Sequence, residues 1–212
     1  MSSTDPFGRG RVRRLFGLDR SAPPPPSTRK GEPLHPWTIP NAVGYLRLAA
    51  LPVFLALAYN TEDGTSLASA MVFWAIAAGD YLDGILARIT GQYSRMGALL
   101  DPLVDRLTIL AGAVVCWSFD LLAHWALALL ALRELAMLFL AWYGLRHGVD
   151  IEVNWPGRIS VFPIMGAIFL ALLAPGWVAD ALLIWGLVMA IIATVLYAQA
   201  GIRASRASRA AG

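Results

Sequence analysis

Cysteine and histidine, which most often carry disulfide, zinc and nucleophile–base chemistry, are scarce in this chain. Cys116 is the only cysteine, so an internal disulfide is excluded, and one thiol cannot form a zinc site alone. Its apolar neighbours indicate a packing role. His35, His124 and His147 are scattered and form no ligand cluster. No Ser-His or Cys-His arrangement indicates a covalent intermediate, so a direct displacement is favoured.

Charge is also in short supply. Only 15% of the 212 residues are charged, whereas 58% are hydrophobic and eight are tryptophan. This balance is typical of a membrane protein rather than of a soluble core. The net charge of +3 is too small to indicate nucleic acid binding. The length suits one domain.

The acids that are present concentrate in residues 80–105, DYLDGILARITGQYSRMGALLDPLVD. Asp80 and Asp83 fall on one helix face, and Asp101 and Asp105, at i and i+4, share a face of the next helix. If these faces oppose each other, four carboxylates surround one centre. They would repel each other unless they held one or two hard divalent cations.

The spacing in this stretch resembles the signature of the CDP-alcohol phosphatidyltransferases. The pattern D-x2-D-G-x2-A-R-x8-G-x3-D-x3-D is complete, at Asp80, Asp83, Gly84, Ala87, Arg88, Gly97, Asp101 and Asp105. The resemblance implies transfer of a phosphatidyl group from CDP-diacylglycerol to a polar alcohol, with release of CMP. It also implies two ions, Mg²⁺ or Mn²⁺, held by the four aspartates, with Asp105 as the general base. Relatives are commonly homodimers.

The same resemblance implies where CDP-diacylglycerol binds. The residues expected to contact it are Pro40, Asn41, Ala42, Val43, Gly84, Ala87, Arg88 and Ser94. Each has a structural alternative that the sequence leaves open. Gly84 could be a packing point between helices, Arg88 a snorkelling arginine, and Pro40 with Asn41 an ordinary helix start.

The acceptor alcohol depends on a second set of residues. Arg133 and Glu134, inside an apolar segment, resemble the phosphatidylglycerolphosphate synthases, and Arg158 stands where those enzymes commonly have lysine. With Arg106 and Arg47, these arginines could attract an anion, which favours glycerol 3-phosphate. Alternatively, each arginine snorkels, and Arg133 and Glu134 are each satisfied by a different neighbouring helix.

Other functions remain open at this stage. Cardiolipin synthases share the central motif and accept phosphatidylglycerol, and inositol phosphate or serine is a less favoured acceptor. A divalent-cation transporter could also use carboxylates within the membrane. That class does not explain why Gly84, Ala87 and Arg88 accompany the acids, because an arginine in a cation path repels its cargo.

Apolar windows predict an all-α fold, a polytopic membrane bundle with six transmembrane helices. The predicted spans are residues 40–59, 66–89, 98–119, 121–145, 157–175 and 178–200. Pro40 and Pro102 are expected in first helical turns, where proline is tolerated, and Pro163 inside the fifth helix.

Three regions follow from these spans. Residues 1–38 form a basic, proline-rich tail that is predicted to be disordered, residues 39–200 the catalytic domain, and residues 201–212 a second basic tail. No apolar segment closely follows the first arginines, so a cleaved signal peptide is not expected. Arginine-rich loops alternate with acidic ones, which predicts a multi-pass plasma-membrane protein with both termini and the active site in the cytoplasm.

Overall fold

The computed structural model describes residues 34–147 and 155–210, and the side chains of residues 34–139 and 160–195. In these residues there are six α-helices and no strand: α1 Ile39–Tyr59, α2 Leu67–Thr90, α3 Arg95–Ser118, α4 His124–His147, α5 Trp155–Leu173 and α6 Trp177–Ala210. The all-α prediction is confirmed for this part of the chain. The predicted disordered tail, residues 1–38, falls largely outside it. Helix α6 continues to Ala210, past the predicted domain end at residue 200.

Hydroxyl residues begin the first three helices. The side-chain oxygens of Thr38, Ser66 and Ser94 accept hydrogen bonds from the backbone N–H three residues later, at distances of 3.3, 2.9 and 3.0 Å. Such N-caps satisfy donors that the helix itself leaves without a partner. These caps fix where α1, α2 and α3 start, and therefore where the aspartates fall along α2 and α3.

The cap at Ser94 corrects one prediction. Because α3 begins at Arg95, Pro102 lies inside the helix and not in its first turn. Pro40 does lie in the first turn of α1, and Pro163 lies inside α5, both as predicted. An internal proline removes one backbone hydrogen bond, so α3 carries this defect directly after Asp101.

Three helical segments are long and apolar enough to cross a membrane: Ile39–Tyr59, Leu67–Thr90 and Trp177–Val195. They support a membrane protein. Among the residues searched, Ser160–Leu173 is a shorter apolar helix, and α3 carries Asp101, Asp105 and Arg106. The six-span arrangement therefore stays a prediction.

The chain divides into two compact units, and α1, α2 and α3 each contribute to both. Residues 34–53 and 74–108 belong to the first unit, and residues 54–73 and 109–210 to the second. In the first unit α1 and α3 approach closely, since a Cβ added to Gly44 would lie 2.7 Å from Cδ2 of Leu100. All four aspartates of the predicted site lie in this unit.

The second unit has an apolar core. The rings of Phe54 and Phe73 are 5.4 Å apart between centroids, and Cys116 is fully buried, which fits its predicted packing role. Helices α5 and α6 pack closely at Gly186, where an added Cβ would lie 2.7 Å from a side-chain carbon of Ile164. Small residues allow such close packing of membrane helices.

Candidate active site

A buried arginine lies among the aspartates of the first unit. Arg47, on α1, is 3% exposed. Its Nη1 donates to Oδ2 of Asp83 at 3.0 Å and lies 3.6 Å from Oδ1 of Asp80, while its Nη2 donates to Oδ1 of Asp105 at 2.6 Å. Its Nε donates to the backbone oxygen of Ile76 at 2.8 Å. One guanidinium thus connects α1 to both acidic helices.

The four aspartates differ in their access to solvent. The side chain of Asp83 is 5% exposed, that of Asp105 30% and that of Asp80 49%. Asp101 is half-buried, and its charge interacts with those of Asp80, Asp83 and Asp105. The structure therefore brings the four predicted residues together into a group that is buried on one side and open on the other. We refer to Asp80, Asp83, Asp101 and Asp105 as the aspartate cluster.

Gly79 makes room for the arginine. A Cβ at this position would lie 2.6 Å from Cδ and 2.8 Å from Cγ of Arg47. Distances below about 3 Å are not tolerated between carbon atoms that are not bonded, because protein interiors are close-packed. The absence of a side chain at Gly79 is thus what lets the stem of Arg47 reach Asp83 and Asp105 across the surface of α2.

The donor chemistry of the aspartate cluster fits a hard divalent cation, since carboxylate oxygens are the preferred ligands of Mg²⁺ and Mn²⁺. As the described side chains are placed, no three His, Cys, Asp or Glu residues form a group ready to hold a metal ion. The guanidinium of Arg47 instead supplies the positive charge next to Asp83 and Asp105. The metal ligands therefore remain a prediction.

Two residues expected to contact the nucleotide, Asn41 and Ser94, form a buried hydrogen-bonded clasp. The Ser94 hydroxyl donates to Oδ1 of Asn41 at 2.9 Å, and Nδ2 of Asn41 donates to the backbone oxygens of His35 and Pro36 at 3.1 and 3.0 Å. Asn41 is 2% and Ser94 5% exposed. The clasp joins the start of α1 to the loop before α3.

We expect Asn41→Ala to lower the free energy of unfolding by about 2–4 kcal/mol, because it removes three hydrogen bonds and leaves the buried hydroxyl of Ser94 without its acceptor. The thermal unfolding midpoint in detergent measures this loss. The matched control is Tyr45→Phe, which removes a single bond of 3.3 Å to the oxygen of Pro36. Equal midpoints for the two variants would contradict the role of the clasp.

The remaining predicted nucleotide contacts are more accessible. Pro40 is buried and Ala42 exposed, whereas Val43 and the α2 residues Gly84, Ala87 and Arg88 are half-buried. A Cβ at Gly84 would lie 3.5 Å from both terminal nitrogens of Arg88, which is ordinary contact. The guanidinium of Arg88 therefore folds back over the bare backbone of Gly84, one residue after Asp83.

The predicted acceptor residues lie in different environments. Arg133 donates to its neighbour Glu134, which is 1% exposed, so this contact joins the two residues to each other within α4. Nη1 of Arg106 donates to the backbone oxygen of Pro102 at 3.0 Å. The side chain of Arg158 lies outside the described residues.

A family model and several named relatives assign this chain to the same protein family. The family model described as CDP-alcohol phosphatidyltransferase matches residues 37–195. A relative from Streptomyces coelicolor named cardiolipin synthase (CMP-forming) is 37% identical over 171 residues, covering 78% of this chain and 80% of its own. A putative cardiolipin synthase of Mycobacterium tuberculosis is 32% identical over 177 residues, covering 76% and 81%. A probable phosphatidylglycerophosphate synthase of the same organism is 35% identical over 126 residues, covering 58% and 59%.

Proposed function

We propose that this chain, which belongs to the CDP-alcohol phosphatidyltransferase family, transfers the phosphatidyl group of CDP-diacylglycerol to phosphatidylglycerol. The products would be cardiolipin and CMP. The observation that carries the transfer step is the convergence of carboxylates from α2 and α3 around Arg47, since these carboxylates belong to the complete family signature. Transfer from CDP-diacylglycerol is the activity of the family, and the acceptor is the new element.

In the proposed reaction the acceptor hydroxyl attacks the phosphorus that carries the diacylglycerol. A new P–O bond forms, the bond to CMP breaks, and Asp105 takes the proton of the hydroxyl. The bond from Arg47 engages Oδ1 of Asp105, so Oδ2 is the oxygen that would receive the proton. Arg88 would bind phosphate oxygens, and its half-buried position beside Gly84 supports this role.

The aspartate cluster would hold the divalent cations that this family is expected to need. When bound, Mg²⁺ or Mn²⁺ would neutralise charge on the diphosphate and on the departing CMP. Asp83 and Asp101, which are buried and half-buried, would contribute ligand oxygens from opposite helices. Asp80, at the exposed side of the cluster, would contribute a further oxygen where the substrate enters.

Two observations favour phosphatidylglycerol over glycerol 3-phosphate. Two relatives that match more than three quarters of this chain are named cardiolipin synthase (CMP-forming) and putative cardiolipin synthase. In addition, two arginines expected to attract an anion already pair with carboxylates, Arg47 with Asp83 and Asp105, and Arg133 with Glu134. A doubly charged phosphate monoester needs more cationic partners than the singly charged diester of a lipid that the bilayer already holds in place.

Glycerol 3-phosphate remains the second candidate. The Arg133–Glu134 sequence favours it, and the 35% identical relative is named a probable phosphatidylglycerophosphate synthase. The two acceptors give lipid products of different mass, so mass spectrometry of the product distinguishes between them.

The test is the identity of the lipid product. Purified protein is incubated with CDP-diacylglycerol and Mg²⁺, and with phosphatidylglycerol, glycerol 3-phosphate or no acceptor, and the lipids are analysed by mass spectrometry. We expect cardiolipin in the first reaction and little phosphatidylglycerol phosphate in the second. The reverse result would assign the second candidate, and no product in either reaction would reject both acceptors.

We also propose a multi-pass arrangement in the plasma membrane with the aspartate cluster facing the cytoplasm. The arginine-rich connections around Arg88 and Arg95 support this orientation, because positively charged loops remain on the cytoplasmic side. A cysteine introduced at exposed Gln92, between α2 and α3, should react with a membrane-impermeant thiol reagent only from the cytoplasmic side in the Cys116→Ala background.

A further inference from the structure

The contacts of Arg47 indicate a role other than attracting an anionic acceptor. Its guanidinium makes three hydrogen bonds, to the carboxylates of Asp83 and Asp105 and to the backbone oxygen of Ile76. An arginine that is 3% exposed and bound on three sides has little freedom to approach a diffusing acceptor. Its contacts join α1 to α2 and α3, at positions 36 and 58 residues away along the chain.

Buried carboxylates require a positive partner. Removing two carboxylates from water costs several kcal/mol per ion unless opposite charge lies close by. Arg47 supplies one positive charge to a cluster of four acids, and it uses Oδ2 of Asp83 and Oδ1 of Asp105 to do so. A cation bound by the same carboxylates would meet this guanidinium at a distance where like charges repel.

We infer that Arg47 is a positioning residue that holds Asp83 and Asp105 together by supplying the charge between them, and that it competes with divalent cations for these carboxylates. This inference rests on the cation site of the proposed function. It makes the helix arrangement stable before a cation binds, and it sets the concentration of cation that is needed. Arg47 therefore weakens cation affinity while it maintains the geometry of the cluster.

The test measures cation binding through protein stability. Thermal unfolding of purified protein in detergent is followed while Mn²⁺ is added, and the concentration of Mn²⁺ that gives half of the maximal stabilisation is determined. In Arg47→Gln we expect this concentration to be about tenfold lower than in the wild type, because a competing charge is lost. The variant without Mn²⁺ should unfold at a lower temperature. Arg47→Lys, which restores one charge, should give a value closer to the wild type.

A second variant moves the arginine without removing it. Gly79→Ala places a Cβ 2.6 Å from Cδ of Arg47 and must displace its stem, so it should also lower the Mn²⁺ concentration. Gly44→Ala is the matched control. It introduces the same methyl group against a side-chain carbon of Leu100, and it should cost stability without changing the Mn²⁺ concentration. The comparison of Gly79→Ala with Gly44→Ala retains Arg47, so it tests the inference even if Arg47→Gln does not fold.

The outcomes separate this inference from the proposed function. If Gly79→Ala and Arg47→Gln need as much Mn²⁺ as the wild type, or more, for half of the maximal stabilisation, then Arg47 does not compete with the cation. Cardiolipin formation by the wild type would still support the proposed function in that case. Conversely, lower Mn²⁺ requirements in a protein that makes no lipid product would support the role of Arg47 and reject the transfer reaction.

Discussion

Asp105→Asn is expected to lower CMP release from CDP-diacylglycerol by about a thousandfold, because an amide cannot take the proton of the acceptor hydroxyl. The substitution retains the shape of the side chain. It also retains an oxygen that can accept the hydrogen bond from Nη2 of Arg47, which is 2.6 Å long in the wild type. The loss should therefore appear in the rate and not in the fold. CMP release measured by chromatography, with the unfolding midpoint measured on the same sample, checks both parts.

Asp120→Asn is the matched control for this prediction. Asp120 lies in the loop before α4 with φ of 56°, a conformation that asparagine tolerates well, and its side chain is 81% exposed. The variant removes one carboxylate outside the aspartate cluster, so its CMP release should equal that of the wild type. Near-normal CMP release by Asp105→Asn would mean that another group takes the proton.

Removal of divalent cations is expected to have an effect of similar size. Dialysis against EDTA should lower CMP release to the background rate, a loss of at least about a thousandfold, since cation stabilisation of a transition state is worth several kcal/mol. Addition of Mg²⁺ or Mn²⁺ in excess should restore it. Without the cation, the aspartates of α2 and α3 retain only positively charged side chains such as Arg47 to oppose their charge.

The control for cation removal is EDTA that has been saturated with Mg²⁺ before use, which should leave the activity unchanged. Unfolding midpoints before and after dialysis show whether the protein stays folded, as the bonds of Arg47 to Asp83 and Asp105 predict. Full activity in protein shown by elemental analysis to be free of metal would reject the cation ligands proposed for the aspartate cluster.

Local periodicity explains why much of the fold could be predicted from the sequence. The helices depend on long apolar windows, and the shared faces of Asp80 with Asp83 and of Asp101 with Asp105 depend only on helical geometry. The apolar window predicts a membrane span from residue 98, whereas the helix itself begins at Arg95, directly after Ser94. Serine is a preferred N-cap residue, and the Ser94 hydroxyl accepts a hydrogen bond from the backbone N–H of Gly97. A helix that starts after Ser94 contains Pro102 in its interior.

The position of Arg47 could not be predicted in the same way. Its partners Asp83 and Asp105 lie 36 and 58 residues away, and the rotation of α1 against two other helices is set by packing. The features that could have indicated its role are an ionisable residue inside an apolar helix and a glycine, Gly79, one residue before the first aspartate. Neither feature identifies the partner on its own.

The pair Arg133 and Glu134 shows a limit of spacing rules. Adjacent residues on a helix point about 100° apart, so spacing alone does not indicate that Arg133 and Glu134 contact each other. That rule describes the directions of the Cβ atoms, whereas arginine is long enough for its guanidinium to bend back to the next residue. Because Glu134 is 1% exposed, the hydrogen bond that satisfies its buried carboxylate outweighs the preferred direction of the arginine side chain.

The most direct test of phosphatidyl transfer is a mole-for-mole account of CMP and lipid product in liposomes that contain wild-type protein, CDP-diacylglycerol and Mg²⁺. We predict one molecule of CMP for each molecule of cardiolipin when phosphatidylglycerol is present, and almost no CMP when every acceptor is left out. CMP formation that does not depend on an acceptor would indicate hydrolysis instead. Movement of Mg²⁺ across the bilayer with no CMP formed would contradict the account and favour a cation transporter.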